Sequence, residues 1–136
     1  MIDVKYKDIV KRLLDVIPEL SGKYNKEVTW WAPEEPPPDV VYGDMFSDYV
    51  SDLERRCTRE CSASDQEQLR RAFDLIEELA SSSDIETRCI IEVSVLESLL
   101  GDKGGVKRFA RFMKARTKNM AANLADRWEL ETEELM

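Results

Sequence analysis

Carboxylates are the most numerous side chains in this 136-residue chain that could do chemistry. The chain has 28 acidic residues, no histidine and only three cysteines. Without histidine, the commonest general base and metal ligand, the sequence argues against catalytic triads and zinc centres. Asp44, Asp48 and Asp52 lie one helical turn apart, but a straight helix would direct them into water with nothing else around an ion. Hydrolysis by paired carboxylates would need Glu92 and a second buried acid such as Glu77 in a cleft. We therefore predict a protein with no enzymatic activity, cofactor or metal.

Cysteine usage and hydropathy bear on the compartment. The number of cysteines is odd, and the four-residue spacing of Cys57 and Cys61 suits neither a disulfide framework nor a zinc ribbon. We expect reduced, packed thiols. The N-terminal stretch alternates charged and apolar residues, which a signal peptide does not do, and no apolar run reaches transmembrane length. The sequence thus predicts a cytoplasmic protein that does not bind membranes.

Charged side chains are segregated along the chain. The sequence has 28 acidic and 20 basic residues, and a net charge of −8 argues against general nucleic-acid binding. Residues 103–118 contain seven lysines and arginines and no acid. Residues 27–54 are the reverse, with no lysine or arginine and eight acids, namely Glu27, Glu34, Glu35, Asp39, Asp44, Asp48, Asp52 and Glu54.

Three interpretations of this segregation compete. The charged runs can be solvated faces, or can pair with each other within the monomer or across a dimer. Alternatively, the acidic run can be a docking surface whose aromatic anchors, Trp30, Trp31 and Tyr42, hold a basic protein such as a nuclease. In the third interpretation the basic run contacts RNA or DNA phosphates. That alternative would use Lys107, Arg108, Arg111 and Lys114.

The element expected to position these residues is an apolar helix over residues 83–100. Its apolar side chains cover more than half of a helical wheel, which is typical of a helix surrounded by others. Ser83 and Glu86 have the spacing of a capping box. Glu92 falls inside the apolar arc, one turn after Arg88, so we expect a structural, buried ion pair between these two side chains.

Apolar residues at three- and four-residue spacing predict further helices over residues 3–20, 44–61, 64–80 and 106–133. Residues 21–43, with two adjacent tryptophans and four prolines, predict a long loop, and the acidic end at 129–136 is expected to fray. The fold class is therefore all-α. We predict a single domain over 1–136, with about five helices arranged as antiparallel hairpins around the helix at 83–100.

Three motifs, FDLIEEL, SSDIET and VSVLESLLG, lie between about residues 45 and 128. In them the chain resembles a family of small, acidic, all-helical bacterial proteins that are predicted immunity proteins of polymorphic toxin systems. The resemblance implies a cytoplasmic protein that binds and blocks a cognate toxin, and it assigns no toxin-binding residue.

Charge and aromatic content supply the candidate surface for that toxin, and the oligomeric state is left open. Acidic side chains would steer the partner and aromatic side chains would anchor it. The predicted partner-binding residues are Trp30, Trp31, Glu34, Glu35, Tyr42, Asp44, Asp48 and Asp52.

Overall fold

The computed structural model describes residues 3–101 and 104–128, and all regular structure in this part of the chain is helical. The predicted all-α class is confirmed. Seven helices lie within the described residues, and two of them continue through a π-helical stretch. The seven helices are α1 (Ile9–Val16), α2 (Ser21–Trp31), α3 (Pro38–Val40, π-helical Val41–Phe46, Ser47–Glu60), α4 (Ala63–Ala80), α5 (Ile85–Cys89, π-helical Ile90–Leu96, Glu97–Gly101), α6 (Gly105–Phe109) and α7 (Ala115–Arg127).

Helix α5 packs against α3, α4, α6 and α7. Its buried side chains include Ile91, Val95 and Leu99, each fully inaccessible. The other face of α5 is open, since Val93 is 56% exposed. None of the helices in the described residues is both long and apolar enough to cross a bilayer.

The π-helical stretches of α3 and α5 pack against each other. Tyr42 and Phe46 are fully buried on the α3 side, as is Ile91 on the α5 side. Gly43 lies next to Ser94 at this contact, where a Cβ atom on Gly43 would be in ordinary van der Waals contact, 3.4 Å from the Ser94 carbonyl oxygen. π-helical turns often occur at functional sites. The surface next to this contact is therefore a candidate functional surface.

Two of the predicted boundaries are wrong. Residues 21–43 are not one loop, since α2 occupies Ser21–Trp31 and α3 begins at Pro38. The helical signal was in the sequence: Leu20, Tyr24 and Trp31 recur at helical spacing, but the prolines that follow outweighed it. The helix predicted over 106–133 divides into α6 and α7, because Met113 and Lys114 have extended backbone. The tail at 129–136 lies outside the described residues.

Cys57 and Cys61 form a disulfide, so the prediction of reduced thiols is wrong for this pair. Cys57 lies in the last turn of α3, which ends at Glu60, and the backbone of Cys61 is extended. Cys89 is a free, exposed cysteine. Disulfides are typical of oxidising compartments, so the cytoplasmic location stays a prediction that this bond does not favour.

The start of the described chain is tied to the turn between α4 and α5 by a polar cluster that we call the N-terminal latch, formed by Asp3, Tyr6, Ser82, Ser83 and Asp84. Asp3 accepts hydrogen bonds from the Ser83 backbone N–H at 3.0 Å and from the hydroxyls of Ser82 and Ser83. In return, the Tyr6 N–H donates to Asp84 at 2.9 Å. Asp84, which also accepts from the Glu86 N–H, is the N-cap of α5 in place of the predicted Ser83.

The latch predicts a loss of stability in acid. Hydrogen bonds from the Ser83 hydroxyl and N–H lower the pKa of Asp3, and the bond from the Tyr6 N–H lowers the pKa of Asp84. A carboxyl whose pKa is lower in the folded state stabilises the fold above its ordinary pKa, and this contribution falls as the pH drops below about 4. Urea denaturation of the Asp3→Asn/Asp84→Asn variant should therefore show lower stability at neutral pH and a shallower decline toward pH 2. Asp126→Asn, at an exposed position, should follow the wild type, and an unchanged slope in the double variant would contradict the latch.

Two fully buried threonines differ in how their hydroxyls are bonded. The Thr117 hydroxyl donates to Glu77 at 2.9 Å, in a set of bonds where Glu77 also accepts the N–H groups of Arg116 and Thr117 at the start of α7. The Thr87 hydroxyl has no hydrogen-bond partner among the described residues. A buried hydroxyl without a partner costs stability, whereas a satisfied one contributes to it.

The two positions should therefore respond to valine with opposite signs. Thr87→Val should raise the free energy of unfolding by about 1 kcal/mol, because the shape is kept and an unpaired hydroxyl is removed. Thr117→Val should lower it by about 1 to 3 kcal/mol, because Glu77 loses a donor. Urea denaturation of both variants measures the difference. Equal destabilisation of the two would show that the Thr87 hydroxyl is bonded after all.

Candidate functional site

The acidic stripe predicted on α3 is present and faces solvent. Asp44, Asp48 and Asp52 are all exposed, while Phe46 and Val50 of the same helix are buried. Asp52 forms an ion pair with Arg55 at 3.2 Å, with both side chains 60% exposed, so this pair is worth little in free energy. Asp44 and Asp48 have no ion pair within the described part of the chain. Two of the three carboxylates are therefore not engaged in a direct ion pair.

A groove runs beside this stripe, between α2, α3 and the end of α5, and we call it the α2–α3 groove. It consists of a cavity of about 690 Å³ and a neighbouring one of about 240 Å³, and both are lined by Lys23 and Asp48. Five carboxylates and three basic side chains line the two cavities together. The charged lining comprises Glu27, Asp44, Asp48, Asp52 and Glu97 against Lys23, Lys26 and Arg55.

The basic side chains of the groove were not predicted from the sequence. Lys23 and Lys26 belong to α2, whose residues had been assigned to a loop, so nothing placed them opposite the aspartates. Glu97 was missed because it comes from α5, more than forty residues further along the chain. The helical spacing of Leu20, Tyr24 and Trp31 is the signal that could have placed the two lysines.

The predicted aromatic anchors differ in how far their side chains are exposed. Trp30 is 82% exposed at the end of α2, whereas Trp31 is half-buried and its indole N–H donates to Glu27 at 3.2 Å. Glu34 and Glu35 are exposed in the connection to α3. Tyr42 is fully buried, its hydroxyl donates to the Ile9 carbonyl at 2.5 Å, and burial raises its pKa. The prediction that Tyr42 contacts a partner is therefore wrong, because Tyr42 lies on the buried face of α3, one turn before the buried Phe46.

The ion pair predicted between Arg88 and Glu92 is also wrong. Arg88 donates to the Ser82 carbonyl at 2.7 Å, where it closes the turn before α5. Glu92 pairs with Arg127 of α7, and its side chain is about one third exposed. Spacing within one helix could not reveal a partner that α7 supplies, because that contact depends on how the two helices pack.

Two basic side chains of the 103–118 segment form ion pairs with acids elsewhere in the described part of the chain. Arg108 donates from Nε and Nη2 to Glu54 at 2.9 and 2.7 Å, and Glu54 is only 3% exposed. Lys114 pairs with Asp74 at 2.5 Å. Arg111 is exposed, with its guanidinium 4.6 Å from the centre of the Phe112 ring, and Lys107 is exposed as well. The pairing of Glu54 with Arg108 joins the acidic run to the basic run, as the intramolecular interpretation predicts.

The Glu54–Arg108 pair should be a strong link between α3 and α6. Glu54→Gln should lower the free energy of unfolding by about 2 to 3 kcal/mol, because it weakens two charge-assisted hydrogen bonds to a partly buried guanidinium. The double variant Glu54→Met/Arg108→Met should recover part of this loss. Urea denaturation of the wild type, Glu54→Met, Arg108→Met and the double variant gives the coupling energy. Glu60→Gln, an exposed acid on the same helix, is the matched control. A coupling energy near zero would mean that the pair does not stabilise the fold.

The described residues, 3–101 and 104–128, contain no group of three or more cysteine, aspartate or glutamate side chains arranged to hold a metal ion. Compared with known proteins, the chain matches the model of a family described as a domain of unknown function, DUF7674, over residues 10–129. No curated protein and no solved structure matches it.

Proposed function

The chain belongs to the DUF7674 family of domains of unknown function, and from its surface we propose that it is a non-catalytic protein that binds a basic partner protein. The observation that carries the proposal is the exposed stripe on α3, where Asp44 and Asp48 have no ion pair among the described residues. Uncompensated surface carboxylates leave a negative potential that attracts a cationic partner and speeds its association. The groove beside the stripe offers a concave surface for that partner.

Individual residues have different roles in the proposed surface. Asp44, Asp48 and Asp52 steer the partner, with Asp52 contributing less because of its pairing with Arg55. Trp30 is the aromatic anchor, since it is 82% exposed at the end of the helix that forms the opposite wall. Aromatic side chains of this kind supply much of the binding energy at protein interfaces.

The remaining predicted contacts have smaller roles. Glu34 and Glu35, exposed after α2, extend the negative potential. Trp31 is half-buried and bonded to Glu27, so it supports the wall of the groove and makes no primary contact.

A toxin is the class of partner that the family resemblance implies. In this proposal the protein is a cytoplasmic immunity protein that occludes its cognate toxin, and helical hairpins packed around α5 provide a rigid support for the surface. An acidic inhibitor suits a basic target such as a nuclease, because nucleases need positive charge to hold their substrate. The acidic groove would then compete with nucleic acid for the same basic residues of the target.

The alternative, a nucleic-acid contact through the basic segment, has less support. Of the four residues assigned to this contact, Arg108 and Lys114 pair with Glu54 and Asp74. Lys107 and Arg111 form no ion pair with another described residue. The net charge of −8 opposes approach to a phosphate backbone. Salt-dependent binding of labelled RNA that Lys107→Glu/Arg111→Glu abolishes would revive this alternative.

The proposal predicts that charge reversal on the stripe removes binding. Asp44→Lys/Asp48→Lys/Asp52→Lys should weaken the complex with the basic partner by about tenfold or more, because like charges then face each other across the interface. The partner is obtained by affinity purification from native cells and identified by mass spectrometry, and its affinity is measured with both purified proteins. Circular dichroism and thermal melting should match the wild type, since the three side chains are exposed.

A second triple variant provides the matched control. Glu60→Lys/Glu86→Lys/Asp126→Lys makes the same change in net charge at exposed acids that do not line the α2–α3 groove. It should keep most of the affinity. Equal weakening by both variants would mean that net charge alone governs binding, and unchanged affinity in the stripe variant would exclude this surface.

A further inference from the structure

A small apolar surface lies between α5 and the end of α7, and we call it the α5–α7 patch. It is formed by Val93 of α5, 56% exposed, and Trp128 after the end of α7, 38% exposed, with the buried Leu124 beneath them. These three side chains line a cavity of about 120 Å³, which has room for one aliphatic side chain. Exposed apolar side chains gathered around a cavity are typical of interaction sites, whereas isolated ones are not.

The patch adjoins the α2–α3 groove through one residue. Glu97 lines both the 690 Å³ cavity of the groove and the 120 Å³ cavity of the patch. It has no ion pair within residues 3–101 and 104–128, whereas the nearby Glu92 is paired with Arg127. Val93 and Glu97 are four residues apart on α5, so an apolar position and an uncompensated carboxylate stand about one helical turn apart.

We propose that the α5–α7 patch binds a basic amphipathic helix, as a second contact made by the same partner that the α2–α3 groove attracts. An apolar side chain of the incoming helix fills the cavity between Val93 and Trp128. A lysine or arginine about one turn away on that helix pairs with Glu97. The inference rests on the proposed function only in assigning both contacts to one partner.

Charge complementarity favours this occupant over a second copy of the chain. The charged lining of the patch is Glu92, Glu97 and Arg127, and the internal pair leaves Glu97 as the net charge. A second copy, with its own net charge of −8, would bring like charge to the same place. A basic helix removes the unpaired charge and covers the apolar side chains in a single contact.

Fluorescence of Trp128 can test the contact directly, because the chain has three tryptophans and the other two can be replaced. In a Trp30→Phe/Trp31→Phe background, a synthetic peptide built from repeats of Leu-Lys-Lys-Leu is titrated against the full chain. Binding should shift the Trp128 emission to shorter wavelength and should saturate, because an apolar side chain displaces water from the ring. The same repeat with glutamate in place of lysine, and a scrambled peptide of equal composition, should give no shift.

Variants of the patch should weaken peptide binding without unfolding the protein. Val93→Asp and Glu97→Lys should each raise the peptide Kd by about tenfold, which corresponds to about 1.4 kcal/mol. Val93→Ser, a milder change at the same exposed position, provides the result if the aspartate variant is poorly folded by circular dichroism. Ile85→Asp, at a 65% exposed apolar position at the start of the same helix, is the matched control and should bind as the parent does.

Several outcomes would overturn the inference. Equal binding by the Val93 and Ile85 variants, a shift with the glutamate peptide, or no shift with any peptide would each do so. A Trp128 shift that appears without peptide as the protein concentration rises, with dimers in sedimentation, would assign the patch to a second copy. If Val93→Asp keeps the affinity for the native partner while the stripe variant loses it, the inference fails and the proposed function stands. If both variants keep it, both fail.

Discussion

The close contact between α3 and α5 determines where every candidate binding residue lies. The two helices meet along their π-helical stretches, where Gly43 of α3 lies next to Ser94 of α5. This contact turns Tyr42 and Phe46 into the core and leaves the aspartates of α3 on the outside. It also brings the last turn of α5, with Glu97, alongside Asp48 and Asp52. An acidic surface built from two helices distant in sequence thus follows from the packing of α3 against α5.

Internal ion pairs decide which charges remain available to a partner. Glu54 belongs to the acidic run but forms an ion pair with Arg108, and Lys114 of the basic run forms one with Asp74. The segregation of charge in the sequence therefore has two origins, since part of it holds helices together and part of it faces solvent. Asp44, Asp48 and Glu97 are among the carboxylates that have no ion pair within the described residues, and they carry the proposed function because they line the α2–α3 groove.

The sequence was sufficient for properties that depend on local spacing. The all-α class, the buried face of α4, the burial of one face of the 83–100 segment and the exposure of Asp44, Asp48 and Asp52 all follow from helical periodicity. Properties that depend on contacts between distant segments were missed. Glu92 was given the nearest arginine in sequence, and Trp128 gave no sign that Val93 lies beside it. Tyr42 was placed on the surface because it fell in the predicted loop at 21–43, whereas α3 begins at Pro38 and buries it. The loop at 21–43 failed for another reason, because a cluster of prolines concealed the helical spacing just before it.

The N-terminal latch joins residues that are about eighty positions apart in the chain, as with Asp3 and Ser83. Closing so long a segment costs chain entropy before the hydrogen bonds can compensate for it. The helices between the two ends must therefore be largely assembled before the latch can form, which places it late on the folding route. A contact that forms after the rate-limiting barrier has little effect on the speed of folding and a large effect on the speed of unfolding. We therefore expect loss of the latch contacts of Asp3 and Tyr6 to speed unfolding more than it slows folding.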